Sequence, residues 1–290
     1  MRLLILEDFD KVSYHVANYI KKRIIQFNPS SERPFVLGLP CGSSPIGVYR
    51  YLIEFCRTGQ LSFKNVVTFN MDEYVGLPKN HPESYHTFMW VHLFRHIDIP
   101  TENVNFLNGN ASNLDEECQR YEDKIRSVGG IELFLGGVGP DGHLGFNEPG
   151  SSLHSRTRPK TLAYETILAN ARFFDGDLVK VPKLALTVGV TTVMSAREVC
   201  LIITGQHKAV ALAKCIEECV NHVWTVSCIQ LHPSALIVCD EDATQELHVK
   251  TVKYFNSIQQ VQQQIIGPEN IGLKGSVKSF HPNWLDRVHY

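Results

Sequence analysis

GGVGPDGHLGFNEPG, residues 136–150, follows the apolar run Ile131, Leu133, Phe134 and Leu135, which has the length and composition of a buried strand. Its glycines and prolines bar a helix, so the strand must empty into a loop that can approach a ligand closely. Asp141, His143 and Glu148 stand within eight residues of one another there, an acid, an imidazole and a second acid able to share proton transfer. The plain alternative is a polar surface turn, since Gly and Asp are common in turns. A dinucleotide fingerprint is also formally present in GVGPDG (137–142), but that motif needs a helix opening at its third glycine. LGFNEP follows instead, without helical period.

Working outward, similar punctuation recurs. Residues 35–39 read as a strand that empties into Pro40, Cys41, Gly42, Ser43, Ser44 and Pro45 before a helical period begins. Small and hydroxyl residues at a helix N-terminus suit an anion such as phosphate, although Ser44 could equally be a plain N-cap with Pro45 in the first turn. Residues 66–69 read as a buried strand leading to Asp72 and Glu73. Asp72 is the candidate base, because open α/β sheets keep their chemistry past the carboxyl ends of strands; a turn acid is the alternative, with Glu73 as a solvated partner. Residues 199–203 form a strand running into Lys208, a cation in the first turn of a helix, where the dipole opposes it unless an anion lies between.

Further strands are expected at 3–6, 104–107, 184–188 and 235–238, and helices over 82–97, 114–128 and 243–255. An amphipathic helix after the first strand carries Val12, Val16, Ile20, Ile24 and Ile25 on one face, entered at Asp8 or Asp10. The alternation implies one doubly wound α/β domain over residues 1–255, a mainly parallel sheet with helices on both faces. Residues 256–290, Gln-rich and then aperiodic from 267, read as a peripheral tail.

Composition narrows the function. With 290 residues, 43% hydrophobic and 20% charged, the chain suits a globular enzyme, and a formal charge of -2 without basic clusters argues against nucleic acid or an anionic membrane. Four apolar residues before Glu7 are too short for a signal peptide, so a cytoplasmic protein is expected, with its eight cysteines reduced. His81-Pro82-Glu83 lacks the downstream Pro-Cys pair of a zinc deaminase, and Cys215 with Cys219 lacks companions, so no metal is expected. The run SSLHSRTRPKT (151–161) could hold a second anion on Arg158, Lys160, Ser151, Ser152 and Thr161, or be a solvated loop. Arg172, amid apolar residues, needs an anionic partner if buried.

Taken together, GLPCGSSP, TFNMDEYVGLP, HPESY, GGVGPDGHLGFNEPGSSLHSRTR and NHVWT resemble the glucosamine-6-phosphate deaminase family, which also contains 6-phosphogluconolactonases, over residues 1–254. The resemblance implies a Rossmann-like sugar-phosphate isomerase fold. It implies conversion of D-glucosamine 6-phosphate and water to D-fructose 6-phosphate and ammonia without metal or organic cofactor. Asp72 would move the C2 proton, and His143, oriented by Asp141 and Glu148, would assist ring opening. The substrate phosphate would be held by Gly42, Ser43, Ser44, Arg172 and Lys208.

The same resemblance implies a homohexamer with an allosteric site for N-acetylglucosamine 6-phosphate built from Ser151, Ser152, Arg158, Lys160, Thr161 and Tyr254. The chain departs from the family pattern at Cys41 and Ser44, where Thr is usual, at Gly145, where Ala is usual, and at Thr192 and Ser195, where Gly and Asp are usual. Gly145 is expected to loosen the loop beside His143. The rival readings are a lactonase-like hydrolase of the same fold and a non-catalytic sugar-phosphate sensor.

Overall fold

The computed structural model describes residues 1–267. β1 (Arg2–Leu6) leads into α1 (Phe9–Phe27), whose N-cap Asp8 accepts from the Lys11 N–H at 2.7 Å. Val12, Val16, Ile20 and Ile24 recur every four residues and are buried, whereas Ile25 is 56% exposed at the edge of that stripe. Asn28 ends the helix in the left-handed conformation, its N–H returning to the carbonyls of Ile24 and Ile25.

β2 (Phe35–Leu39), α2 (Ile46–Arg57) and β3 (Val66–Asn70) follow, and then a three-residue strand, β4 (Asp72–Tyr74). α3 (Tyr85–His92) is shorter than the 82–97 period suggested: Ser84 caps it by accepting from the Thr87 N–H, and a 3-10 turn, Phe94–His96, takes over beyond it. β5 (Val104–Asn105) and α4 (Leu114–Ser127) precede β6 (Leu133–Gly137), the strand that feeds the 136–150 loop.

β7 (Arg158–Thr161), α5 (Tyr164–Asn170), β8 (Leu184–Thr187), α6 (Val190–Met194), β9 (Val199–Ile203) and α7 (Ala209–Ile216) come next. β10 (Ala235–Asp240) and α8 (Val249–Ile266) complete the described chain. The last helix corrects the reading at the carboxyl end. Residues 242–244 form a 3-10 turn, and α8 starts later and runs through the Gln-rich segment, so position 255 lies inside a helix. The rest of the expected tail, 268–290, lies outside the described residues.

Seven strands form one all-parallel sheet in the order β1-β10-β9-β6-β2-β3-β5. One face packs on α1, α2 and α3 through Val16, Ile20, Tyr49, Leu52 and Met89. The other packs on α4, α6 and α7 through Tyr121, Ile125, Val193 and Leu212. Every strand is therefore covered twice, which is why the strands read as continuous apolar runs rather than as alternations.

A second sheet, β4-β8-β7, is antiparallel and was not expected. The 184–188 strand belongs to it rather than to the main sheet. β4 is too short to carry a periodic signal, and β7, Arg-Pro-Lys-Thr, is a polar edge strand of the kind where proline is tolerated. Among the described residues no helix is long and apolar enough to cross a membrane.

Candidate active site

β9, β6, β2 and β3 are consecutive in the sheet, so the polar segments that follow them open side by side at its carboxyl edge. The segment after β2 is tied to the one after β9 by a bond from Lys208 Nζ to Ser44 Oγ at 2.8 Å. Ser44 is thus no plain helix cap; α2 has Pro45 at its N-cap position with no side-chain hydrogen bond. Gly42 and Ser43 are exposed at the same loop, Gly42 with φ of +93°. Lys208 is 7% exposed at the N-cap position of α7, and burial brings its ammonium down to about 8 against the pull of Asp240. Asp240 accepts from the Gly205 and Ala243 N–H groups, both at 2.9 Å, and so fixes the turn from which Lys208 reaches out.

Asp72 is 6% exposed and its Oδ1 has no hydrogen-bond partner. Burial, with the neighbouring Glu73 charge, raises its carboxyl to about 8. Glu73 is not the solvated partner expected from sequence. It is buried and accepts from the N–H groups of Tyr74, Tyr85 and His86 at 2.8, 3.0 and 2.9 Å, two of them in the first turn of α3. Glu73 therefore anchors α3, and Asp72 is left as the carboxylate available to a ligand.

In the 136–150 loop, His143 Nδ1 lies 2.6 Å from Asp141 Oδ1. Burial pushes the Asp141 carboxyl up, but the His143 side-chain bond, the charge of that ring and the backbone N–H groups together outweigh it and the net shift is downward, favouring the anion. With Nδ1–H engaged, Nε2 is the ring nitrogen left to exchange a proton. The ring packs over Gly139, where a Cβ would stand 2.2 Å from it. Gly145 does not loosen the loop: its φ is +58° and a Cβ would meet Thr187 Oγ1 at 2.9 Å and Met71 Cγ at 3.0 Å.

These contacts join the loop to Asp72. Thr187 pairs with Asp72 between β8 and β4, and its hydroxyl accepts from the Phe146 N–H at 3.1 Å. The Val188 N–H donates to the Met71 carbonyl, and Asn147 Nδ2 donates to the carbonyls of Val188 and Leu144, each at 2.8 Å. Phe146 stacks on Tyr85 with centroids 6.1 Å apart. Gly137 at the end of β6 abuts Ser44, so the loop after β6 begins beside the loop after β2.

Two expected contributors stand elsewhere. The Glu148 carboxylate is occupied by the Ala163 N–H, at 2.9 Å, and by the Thr166 hydroxyl, so it caps α5 rather than touching His143. Arg172 is exposed, not buried, with its guanidinium 4.7 Å from the Phe173 ring centroid, and no contact joins it to Ser44 or Lys208 among the described residues.

Of the second anion set, Ser151 is buried and lies 3.5 Å from Lys160 Nζ, while Arg158 Nη1 donates to Asn147 Oδ1 at 2.9 Å. Ser152 and Thr161 are exposed. Tyr254 is 61% exposed on α8, which packs against β1. Thr192, one of the departures, donates to the buried Glu122, which also accepts from Thr157. Sequence reasoning passed over Asn70, Tyr85 and the bracing role of Asn147; an Asn closing an apolar strand was the one available hint.

Residues 7–244 match the family described as glucosamine-6-phosphate isomerases/6-phosphogluconolactonase. The chain is 63% identical to glucosamine-6-phosphate deaminase 1 of Homo sapiens over 268 residues, 92% of this chain and 93% of that one. Glucosamine-6-phosphate deaminase 2 of Homo sapiens is 62% identical over 92% of this chain and 97% of its own. A monomeric glucosamine-6-phosphate deaminase superposes with a TM-score of 0.81 at 38% identity, covering 85% of this chain and all (100%) of that one. A 6-phosphogluconolactonase from Trypanosoma cruzi shares the fold at a TM-score of 0.64 and 20% identity, covering 85% of this chain and 96% of that one. The chain therefore belongs to the glucosamine-6-phosphate isomerase/6-phosphogluconolactonase family, on its deaminase branch.

Proposed function

We propose that the chain is an isomerising deaminase that converts D-glucosamine 6-phosphate and water to D-fructose 6-phosphate and ammonia. The observation that carries the reading is Asp72, a buried carboxyl raised to about 8 with one oxygen unpartnered, joined through Thr187 and Met71 to the His143 loop. The phosphate sits between the Gly42, Ser43 and Ser44 loop and the Lys208 ammonium, where exposed loop backbone, a hydroxyl and a cation meet. Arg172 joins it only if its exposed segment closes over the ligand.

His143, held by Asp141, takes the anomeric hydroxyl proton at Nε2 and returns one to the ring oxygen, which opens the pyranose. Asp72 then removes the C2 proton to give an enolamine and delivers a proton to C1. The resulting ketimine adds water and expels ammonia. A base that is poorly solvated and close to neutral in proton affinity suits the middle step. Glu148 takes part in this reading by fixing the α5 N-terminus, which it caps, and not by contact with the reacting atoms.

The test is stoichiometric: each mole of glucosamine 6-phosphate consumed yields one of fructose 6-phosphate and one of ammonia. Hydrolysis of 6-phosphogluconolactone without ammonia release would instead identify a lactonase, and binding without turnover a sensor.

Activation by N-acetylglucosamine 6-phosphate is part of the same proposal. Ser151, Arg158, Lys160 and Thr161 line one edge strand and the loop before it, and Arg158 already touches Asn147 beside Glu148. Tyr254, exposed on a helix packed against β1, is the residue a second copy would bring to such a site in a homo-oligomer, the hexamer of the resemblance. Eight free cysteines fit a reducing, cytoplasmic setting. Light scattering, together with velocity curves with and without the acetylated sugar, tests both points; a monomer with a hyperbola unmoved by that sugar would remove them.

A further inference from the structure

Asn70 closes β3 and is wholly buried, at 0% exposure. Its Nδ2 donates to Cys41 Sγ at 3.7 Å, and its Oδ1 has no donor. Phe69 and Met71 pack into the cluster shared with α4, so alternation turns Asn70 and Asp72 toward the opposite side, where Cys41 lies. Asp72 Oδ1 is likewise without a donor. Two buried acceptors, a carboxamide oxygen on the last residue of β3 and a carboxylate oxygen on the first residue of β4, thus stand two positions apart, the former against the Cys41 thiol.

The Thr68 hydroxyl, two residues back on β3, has no partner, but other donors around this end of the strand are committed elsewhere. The N–H groups of Tyr85 and His86 go to Glu73, and the Tyr121 hydroxyl goes to the Asn70 and Asn105 carbonyls. The Tyr49 hydroxyl goes to the Pro40 carbonyl, and Cys41 Sγ faces the Tyr85 carbonyl at 4.0 Å. Buried polar atoms are nearly always paired, so acceptors left open beside a catalytic candidate point to a ligand that brings donors. A hydroxyl brings one hydrogen. An ammonium brings three and complements two acceptors at once.

We propose that Asn70 sets specificity at C2 of the sugar: its Oδ1 accepts an N–H of the substrate ammonium while Asp72 faces the same group, so the site selects an amine over a hydroxyl or hydrogen there. The inference rests on the deaminase reading. It makes Asn70 a substrate contact that Asp72 and the phosphate loop do not replace, because a buried acceptor discriminates against any ligand that leaves it unpaired.

The experiment is calorimetric titration of 2-amino-2-deoxyglucitol 6-phosphate and of 2-deoxyglucitol 6-phosphate, which differ only in the amine, into the intact protein and its variants. The unaltered protein is expected to prefer the amine at least about tenfold. Asn70→Ala is expected to lose about tenfold or more of amine affinity while 2-deoxy affinity stays within about twofold. Thr68→Val removes another unpartnered buried hydroxyl two residues back on β3 and is expected to change neither. Should Asn70→Ala not fold, Asn70→Leu, near in size and without an acceptor, takes its place. Equal losses for both ligands, or retention of the amine preference, would overturn the role of Asn70. Failure of the unaltered protein to release ammonia from glucosamine 6-phosphate would instead overturn the deaminase reading itself.

Discussion

The Lys208 ammonium donates to the Ser44 hydroxyl at 2.8 Å across 164 positions of sequence, and it does so over the top of an intervening strand. β6 lies between β2, which precedes Ser44, and β9, which precedes Lys208. The bond is possible because β6 ends in Gly137, where even a Cβ would stand 3.4 Å from that of Ser44. Side-chain-free backbone, a hydroxyl and a cation are thereby assembled at one point, which is what a phosphate dianion needs.

Lys208→Met keeps most of the volume and removes the charge. It is expected to raise KM for the phosphorylated substrate by about 10–100-fold, the worth of one hydrogen bond to a charged group, with kcat changed by less than about fivefold. Steady-state kinetics read both, and an unaltered KM would take Lys208 out of the phosphate site.

The pH profile has two limbs of opposite sign. In the proposed mechanism Asp72 works as the anion, so activity is expected to rise as pH climbs through about 8, and Lys208 works as the cation, so binding is expected to fall as pH climbs through about 8. A narrow bell in kcat/KM centred near 8 is expected. Bound phosphate stabilises the Lys208 cation and the substrate ammonium stabilises the Asp72 anion, so the kcat profile is expected to be broader on both sides. A kcat/KM profile flat across this region would contradict both assignments.

Asp72 also links stability to pH. Its folded-state value lies above the ordinary 3.8, so the folded protein holds the proton where the unfolded chain has lost it. That contribution is complete below about 4 and disappears as pH rises through about 8. Asp72→Asn, which cannot ionise, is therefore expected to melt higher than the unaltered protein at pH 8, by about 2–4 °C for each 1 kcal/mol relieved, and to lose the advantage toward pH 4. Thermal melts across that range check it; an advantage that shrinks as pH rises would refute the buried-charge origin.

Asp141→Asn keeps the shape beside His143 but no longer holds the imidazole with its proton on Nδ1. A fall in kcat on the order of 10²–10³ is expected with KM little changed, by analogy with other carboxylate-oriented histidines. Kinetics settle the point, and a drop of less than about threefold would make the pair structural only.

The parallel sheet and the order of its strands against helices were legible because its central strands are buried on both faces and helices such as α1 show one apolar stripe, as Val12, Val16, Ile20 and Ile24 do. Ser44 and Lys208 could be marked one at a time, but not as a pair, since the 164 positions between them close only through Gly137. The β4-β8-β7 sheet was not legible: its edge strands are short and polar and owe their conformation to each other. Glu73 and Glu148 misled for a related reason. Carboxylates near a loop look alike in sequence, and only the fold shows these two spent on the N-termini of α3 and α5, leaving Asp72 open.

The base assignment is tested most directly by proton exchange at carbon. Glucosamine 6-phosphate is incubated in D2O with the unaltered protein and with Asp72→Asn, and deuterium is followed by NMR at C2 of recovered substrate and at C1 of fructose 6-phosphate. The expected result is deuterium incorporation with the unaltered protein and none above background with Asp72→Asn, which still binds 2-deoxyglucitol 6-phosphate. Exchange by Asp72→Asn within about tenfold of the unaltered rate would show that another group moves the C2 proton.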